Sequence, residues 1–225
     1  MLRLTALLFL AVPAFAAVPD AGAKPRVAVL YFDANTTDPD LTAFTKGLAA
    51  LLITDFTANP GLQVLERERL EDALKELNLG ETRYADKSTF ARLGKVLGAE
   101  YLVIGSLVCM GKAQCRIAAR VMAYPQLEEV ASAKVTLDPN DVFLAEEKLV
   151  LELTQKLVAL GSIAAFEPPA RPTHKLPLST GAKYARALDA KDKQDSKTQK
   201  QLLSEVVKEQ PGFKLAQLDL LSLRD

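Results

Sequence analysis

The 225-residue chain contains one histidine, two cysteines and no tryptophan. Zinc sites are built mainly from cysteine and histidine, and nucleophilic catalysis needs a positioned base, so this composition leaves few candidates for either. Lys and Arg total 28 and Asp and Glu total 28, so the chain lacks the excess of positive charge that attracts nucleic acid. We therefore expect no catalytic, metal or cofactor site and no nucleic-acid partner.

The first sixteen residues are typical of a cleavable secretory signal. Arg3 precedes an apolar run, and Ala14 and Ala16 are the small residues that signal peptidase reads. The run is too short to cross ~30 Å of hydrocarbon as a helix, and no later segment is apolar for long enough to do so. No cysteine lies near the cleavage site, so no lipid anchor is expected. The sequence predicts a signal peptide over 1–16 and export of the chain.

Apolar periodicity predicts the order β-α-β-α-α-β-β-β-α after a short leader at 17–25. The strand–helix–strand start favours a parallel crossover, and the three later strands, joined by short turns, favour an antiparallel meander. We therefore expect an α/β domain over 26–160, with a mixed sheet packed with helices. The predicted strands are 26–32, 62–65, 101–108, 115–123 and 130–137, and the predicted helices are 41–56, 67–78, 88–97 and about 141–160.

A Pro-rich linker over 161–180 is predicted to lead to a short helical appendage over 181–225. Four prolines lie in the linker, which also holds His174, read as a spacer residue. The apolar positions of the appendage form one narrow seam, and an isolated helix pair of this size is marginal in water. We expect the appendage to dock on the main domain or on a partner.

Three stretches of the domain carry a family pattern. They are VAVLYFD at 27–33 with LITDF at 52–56, PGLQVLER at 60–67 leading into LEDALKEL at 70–77, and ARLGKVLGAEYLVIGS at 91–106. Together they resemble CsgG-like and TolB amino-terminal-like periplasmic domains. The segment 181–223 is similar to a degenerate tetratricopeptide helix pair.

The resemblance implies a periplasmic protein of a Gram-negative envelope. Such a protein assembles with or contacts other proteins or further copies of itself. Curli-secretion members of this family are lipidated outer-membrane pores. Because this sequence lacks a lipid-modified cysteine and long inserted hairpins, pore formation is not expected. The hypothesis is a non-enzymatic assembly or interaction module. The alternative is a domain that senses or binds a small ligand between sheet and helices, and an enzyme comes last because no nucleophile–base pair is visible.

The charged run Glu66-Arg67-Glu68-Arg69 is a candidate interaction surface. Adjacent helical residues point in different directions, which makes the run a poor catalytic pair. We interpret it as a surface ion-pair cluster or an inter-subunit contact, since exposed charge runs are usually solvated.

Acidic and amide residues at 33–40 have two interpretations. Asp33, Asn35, Asp38 and Asp40 superficially resemble a calcium-binding loop, but the central Gly and the terminal Glu of that loop are missing. Turn formation and capping of the next helix explain the same residues, and we expect this second role.

Cys109 and Cys115 are predicted to form a disulfide. An exported chain enters a compartment where disulfides persist, and a short turn separates the two residues. Placing Cys109 opposite Cys115 also sets Leu107 against Ile117, which keeps one face of the hairpin apolar. Two free thiols are the alternative.

Overall fold

The computed structural model describes residues 24–79, 87–110, 114–161, 163 and 175–223. The predicted signal peptide and His174 lie outside these residues. The described residues form six strands and seven helices, in the order β1 (Arg26–Val29), β2 (Asp33–Asn35), α1 (Pro39–Thr57), β3 (Gln63–Val64), α2 (Arg67–Glu76), α3 (Lys87–Leu97), β4 (Tyr101–Met110), β5 (Gln114–Ala123), β6 (Glu128–Leu137), α4 (Val142–Ala159), α5 (Leu178–Asp192), α6 (Ser196–Glu209) and α7 (Lys214–Leu221). No helix in this described part of the chain has the length and apolar character needed to cross a membrane.

The strands form one mixed sheet, as the sequence predicts. Their order is β3-β1-β4-β5-β6, and β2 pairs with β4 beyond the end of β1. Strands β1, β2 and β3 run parallel to their neighbours, whereas β4, β5 and β6 form an antiparallel meander. Helices α1, α3 and α4 contact this sheet, which makes the fold α/β with further helices at the C-terminal end.

Strand β2 is a correction to the sequence prediction, which placed turn and cap structure across 33–40. The first part of this segment, Asp33–Asn35, pairs in parallel with residues 106–108 of β4. Strand β1 pairs only with 101–103, so the rest of the long strand β4 needs another partner for its backbone groups. The capping prediction is confirmed at Asp38, whose carboxylate accepts hydrogen bonds from the backbone N–H groups of Asp40 (2.8 Å) and Leu41 (3.3 Å).

The β4–β5 hairpin has the predicted register and the predicted disulfide. Cys109 lies opposite Cys115 with the Cα atoms 4.0 Å apart, and the two sulfur atoms are bonded. Leu107 pairs with Ile117 and Val103 with Val121, so the apolar side chains share one face of the sheet. That face is buried against α1 and α4.

The C-terminal helices dock on the main domain through α5. Helix α5 begins at Leu178, earlier than the predicted start at Gly181, and packs along α1. The two helices approach closely because small residues meet: a Cβ atom on Gly47 would lie 3.2 Å from the Cβ atom of Ala185. Phe213, just before α7, contacts the ring of Tyr184 edge-on at 4.9 Å between centroids. Helices α1 and α5 thus share a buried interface.

We predict that Gly105→Ala destabilises the fold. A Cβ atom at this position would lie 2.2 Å from Cε1 of Phe32 and 2.6 Å from the carbonyl oxygen of Ala118, so the buried ring or the strand must shift. Overpacking of this kind costs about 1–3 kcal/mol, measured as the free energy of unfolding in urea. Ser106→Ala, on the opposite face of the same strand, is the control, and equal stabilities of the two variants would contradict this packing.

Candidate functional site

The described residues cover only part of the face of the sheet that points away from α1 and α4. Phe90 of α3 packs over the part near Ile104, and the side chains beyond it reach solvent. The strand register arranges the side chains of this face in rows across the sheet. The rows are Asp33-Ser106-Ala118-Lys134, Val108-Arg116-Thr136 and Ile104-Arg120-Ser132.

These rows form the floor and rim of a groove, which we call the sheet groove. One part has a volume of about 660 Å³ and is lined by Phe90, Ser106, Ala118 and Ser132 among others. A second part, of about 470 Å³, shares Ser106 and Ala118 with the first and extends to Thr136. The floor therefore consists of small side chains, which leave space above the backbone of β4, β5 and β6.

Positive charge is concentrated along the sheet groove. Arg116, Arg120 and Lys134 line it and are exposed, and in the described ranges of the chain none of the three forms an ion pair. Two acidic side chains, Asp33 and Glu129, lie on its border. Partial burial raises the pKa of Asp33 above its usual range. The groove thus combines a neutral floor with a cationic side.

A second polar feature, the charged cluster, lies where α1, α2 and α5 meet. The ammonium group of Lys46 lies 3.1 Å from the carboxylate of Glu71, 2.6 Å from Asp189 and 2.7 Å from Asp192. Nη1 of Arg67 lies 2.7 Å from the same Asp192. The charged cluster consists of Tyr31, Lys46, Arg67, Glu71, Asp189 and Asp192.

Burial and close contacts shift the pKa values of Lys46, Asp192 and Tyr31 in the charged cluster. Burial acts to lower the pKa of Lys46, but hydrogen bonds to Asp189 and Asp192 outweigh it, and the pKa is raised. Burial acts to raise the pKa of Asp192, but hydrogen bonds from Arg67 and Lys46 outweigh it. They hold the pKa of the Asp192 carboxyl group below the usual range. Burial raises the pKa of the Tyr31 hydroxyl, which donates a hydrogen bond to Glu71. These contacts join the α5 helix to the main domain.

The predicted interaction surface is divided by the fold. Glu66, Glu68 and Arg69 are exposed, but Arg67 is 5% exposed and belongs to the charged cluster. The interpretation of the whole run as a surface cluster is therefore wrong at Arg67. Glu68 instead pairs with Lys191 of α5 at 2.6 Å.

Sequence reasoning missed both the charged cluster and the sheet groove. The partner of Arg67 lies 125 residues away along the chain, and local spacing does not reveal such a contact. One signal was present: α1 has small or apolar residues around most of its circumference, as a helix covered on two sides does. Among the described residues, no group of His, Cys, Asp and Glu has the arrangement of a metal site.

We predict that Lys46→Met destabilises the protein far more than Lys191→Met. Without the Lys46 ammonium, the carboxylates of Glu71, Asp189 and Asp192 lose the positive charge that lies between them. The free energy of unfolding should therefore fall by about 3–5 kcal/mol. The Lys191–Glu68 pair is exposed to solvent, so its loss should cost about 1 kcal/mol or less. Denaturant unfolding of both variants measures the difference, and similar losses would show that the charged cluster does not anchor α5.

We also predict that the contribution of Asp192 to stability is lost in acid. Its pKa is lower in the folded chain than the unfolded value of about 4, so its stabilisation is present above that value and disappears as the pH falls through the folded pKa. The free energy of unfolding of wild type should therefore exceed that of Asp192→Asn most at neutral pH, and the gap should close below pH ~4. A gap that is constant from pH 7 to pH 3 would contradict this linkage.

Solved structures from several bacteria are similar to part of this chain. The LpoB C-terminal domain from Salmonella enterica is 16% identical, with a TM-score of 0.38 over 52% of this chain and 84% of that chain. Lipoprotein GNA1162 from Neisseria meningitidis is 17% identical, with a TM-score of 0.40 over 50% of this chain and 78% of that chain. TolB from Acinetobacter baumannii is 11% identical, with a TM-score of 0.41 over 61% of this chain and 29% of that chain.

No curated protein matches the sequence. A family profile does: the family described as curli production assembly/transport component CsgG matches residues 12–142, which is more than half of the chain. The chain therefore belongs to the CsgG family.

Proposed function

We propose that the protein is a non-enzymatic component of the bacterial envelope that assembles with or contacts other proteins through the sheet groove. Membership in a family described by assembly and transport supports this role. We further propose that the chain is exported, with cleavage after Ala16, and acts in the periplasm. Its partners there are other envelope proteins or a second copy of the same chain. The exposed residues Glu66, Glu68 and Arg69 are a secondary contact region in this proposal.

One observation carries the proposal. Helices α1 and α4 bury one face of the sheet, whereas the described residues leave the other face partly open. Strands β4, β5 and β6 each have 10 residues, which corresponds to a length of about 33 Å. Helix α3, which contacts β4, has 11 residues and a length of about 16 Å, so it is about half as long as the strands and cannot cover their whole length. The small side chains on the part that α3 does not cover leave room for the side chains of a partner.

A second candidate function is the binding of a small ligand in the same groove. Its volume of about 660 Å³ lies within the usual range of about 300–1,000 Å³ for ligand sites. Such sites are lined mainly by apolar and aromatic side chains, whereas the sheet groove has charged side chains along its border. A ligand that binds only the folded state raises the melting temperature, so a thermal-shift screen tests this alternative.

Ala118→Trp tests the proposed contact surface. The indole fills the sheet groove from its floor and should reduce the capture of envelope proteins by the tagged full-length chain after mild crosslinking. Lys200→Trp, on the exposed side of α6, is the matched control and should capture the same proteins as wild type. Both variants should keep the wild-type melting temperature. Unchanged capture by folded Ala118→Trp would exclude the groove as the contact surface.

A further inference from the structure

We infer that the occupant of the sheet groove is an extended, acidic segment of a polypeptide partner. The inference rests on the proposed function and adds the chemistry of the partner to it. Three features lead to it. They are the absence of ion pairs to the groove cations among the described residues, the spacing of these cations along the strands, and the position of the acidic side chains at the border of the groove.

The cations of the sheet groove lie close together on one face of the sheet. Arg116, Arg120 and Lys134 all line the groove, and within the described residues none of the three forms an ion pair. The chain as a whole is neutral. A local excess of unpaired positive charge on a neutral protein favours an anionic partner at this surface.

The spacing of the cations fits an extended chain. Arg116 and Arg120 are four residues apart on β5 and point to the same face, which places their Cα atoms about 13 Å apart. Lys134 lies opposite Ala118, midway between them, on the neighbouring strand about 5 Å away. An extended peptide presents side chains on one face every ~7 Å, so acidic residues at alternate positions meet successive cations.

The acidic border distinguishes a peptide from a polyanion with uniform charge. Asp33 faces the same groove from the β2 side, and Glu129 lies near its other end. A nucleic acid carries phosphates at regular intervals and would bring some of them close to these carboxylates. A peptide places its acidic residues only where the cations lie. Single strands of nucleic acid are also bound by stacking on several aromatic rings, and Phe90 is the aromatic side chain among those that line the groove.

Binding of synthetic probes to the full-length protein tests this inference. The probes are labelled peptides in which Glu, Gln or Lys alternates with Thr, together with single-stranded oligo-dT, and the readout is fluorescence anisotropy. We expect the Glu–Thr peptide to bind at least roughly tenfold more tightly than the Gln–Thr and Lys–Thr peptides, with affinity that falls as salt is raised. Weaker binding of oligo-dT is expected.

Charge variants locate the binding. Combined Arg116→Gln, Arg120→Gln and Lys134→Gln should weaken binding of the Glu–Thr peptide by roughly tenfold or more, and the corresponding Glu variant should abolish it. The matched control carries Lys197→Glu, Lys200→Glu and Lys214→Glu, which change exposed lysines of α6 and α7 by the same charge as the Glu variant and should bind normally. Far-ultraviolet circular dichroism confirms that each variant is folded.

Each other outcome overturns the inference. No measurable binding of the Glu–Thr peptide, equal binding of the Gln–Thr peptide, tighter binding of oligo-dT, or equal loss in the α6–α7 control would each do so. One result separates this inference from the proposed function. If Ala118→Trp loses its envelope partners while the Gln variant keeps them, the groove is the contact surface. The partner is then not recognised through acidic residues.

Discussion

The burial of helix α1 on two sides is the constraint on which the arrangement of this protein depends. One side packs on the sheet with α4, and the other packs on α5, where Gly47 and Ala185 allow close approach. Buried ion pairs contribute little net stability compared with apolar contacts, but they require one geometry. The charged cluster at the edge of this interface, centred on Lys46 and Asp192, therefore sets the position of α5 along α1. With that surface occupied by the C-terminal helices, the sheet groove remains the face of the sheet that the described residues leave partly open.

The disulfide helps to position the cations of the sheet groove, although it lies on the opposite face of the sheet. Cys109 and Cys115 lie on the apolar face of the hairpin, and Val108 and Arg116, their neighbours, point into the groove. Because side chains alternate along a strand, a slip of one residue would turn Arg116 and Arg120 inward and the apolar residues outward. By holding one register, the disulfide also holds the positive charges on the exposed face. Arg116 and Arg120 are thus positioned by a covalent bond on the opposite face of the hairpin.

Features encoded by local pattern were predictable, and features that depend on distant contacts were not. The hairpin register followed from the cysteine pair and the apolar face, and the cap formers at 33–40 predicted that a helix follows them, although its start was placed at 41 and α1 begins at Pro39. Strand β2 was missed because its pairing depends on the unmet backbone groups of β4, and Arg67 was misplaced because Asp192 belongs to a helix far along the chain. The alternation of Arg116 and Arg120 with apolar residues does indicate an exposed face. Whether a helix covers that face depends on the length and placement of α3.

The central claim is that this CsgG-family protein contacts its partners through the sheet groove and that its C-terminal helices serve to complete the fold. Site-specific photocrosslinking in living cells tests it most directly, with a photoreactive residue at Thr136 in the groove or at Lys200 on the exposed side of α6. The account predicts partner adducts from position 136, reduced by Ala118→Trp, and none from position 200. Adducts from position 200 with none from position 136 would contradict it.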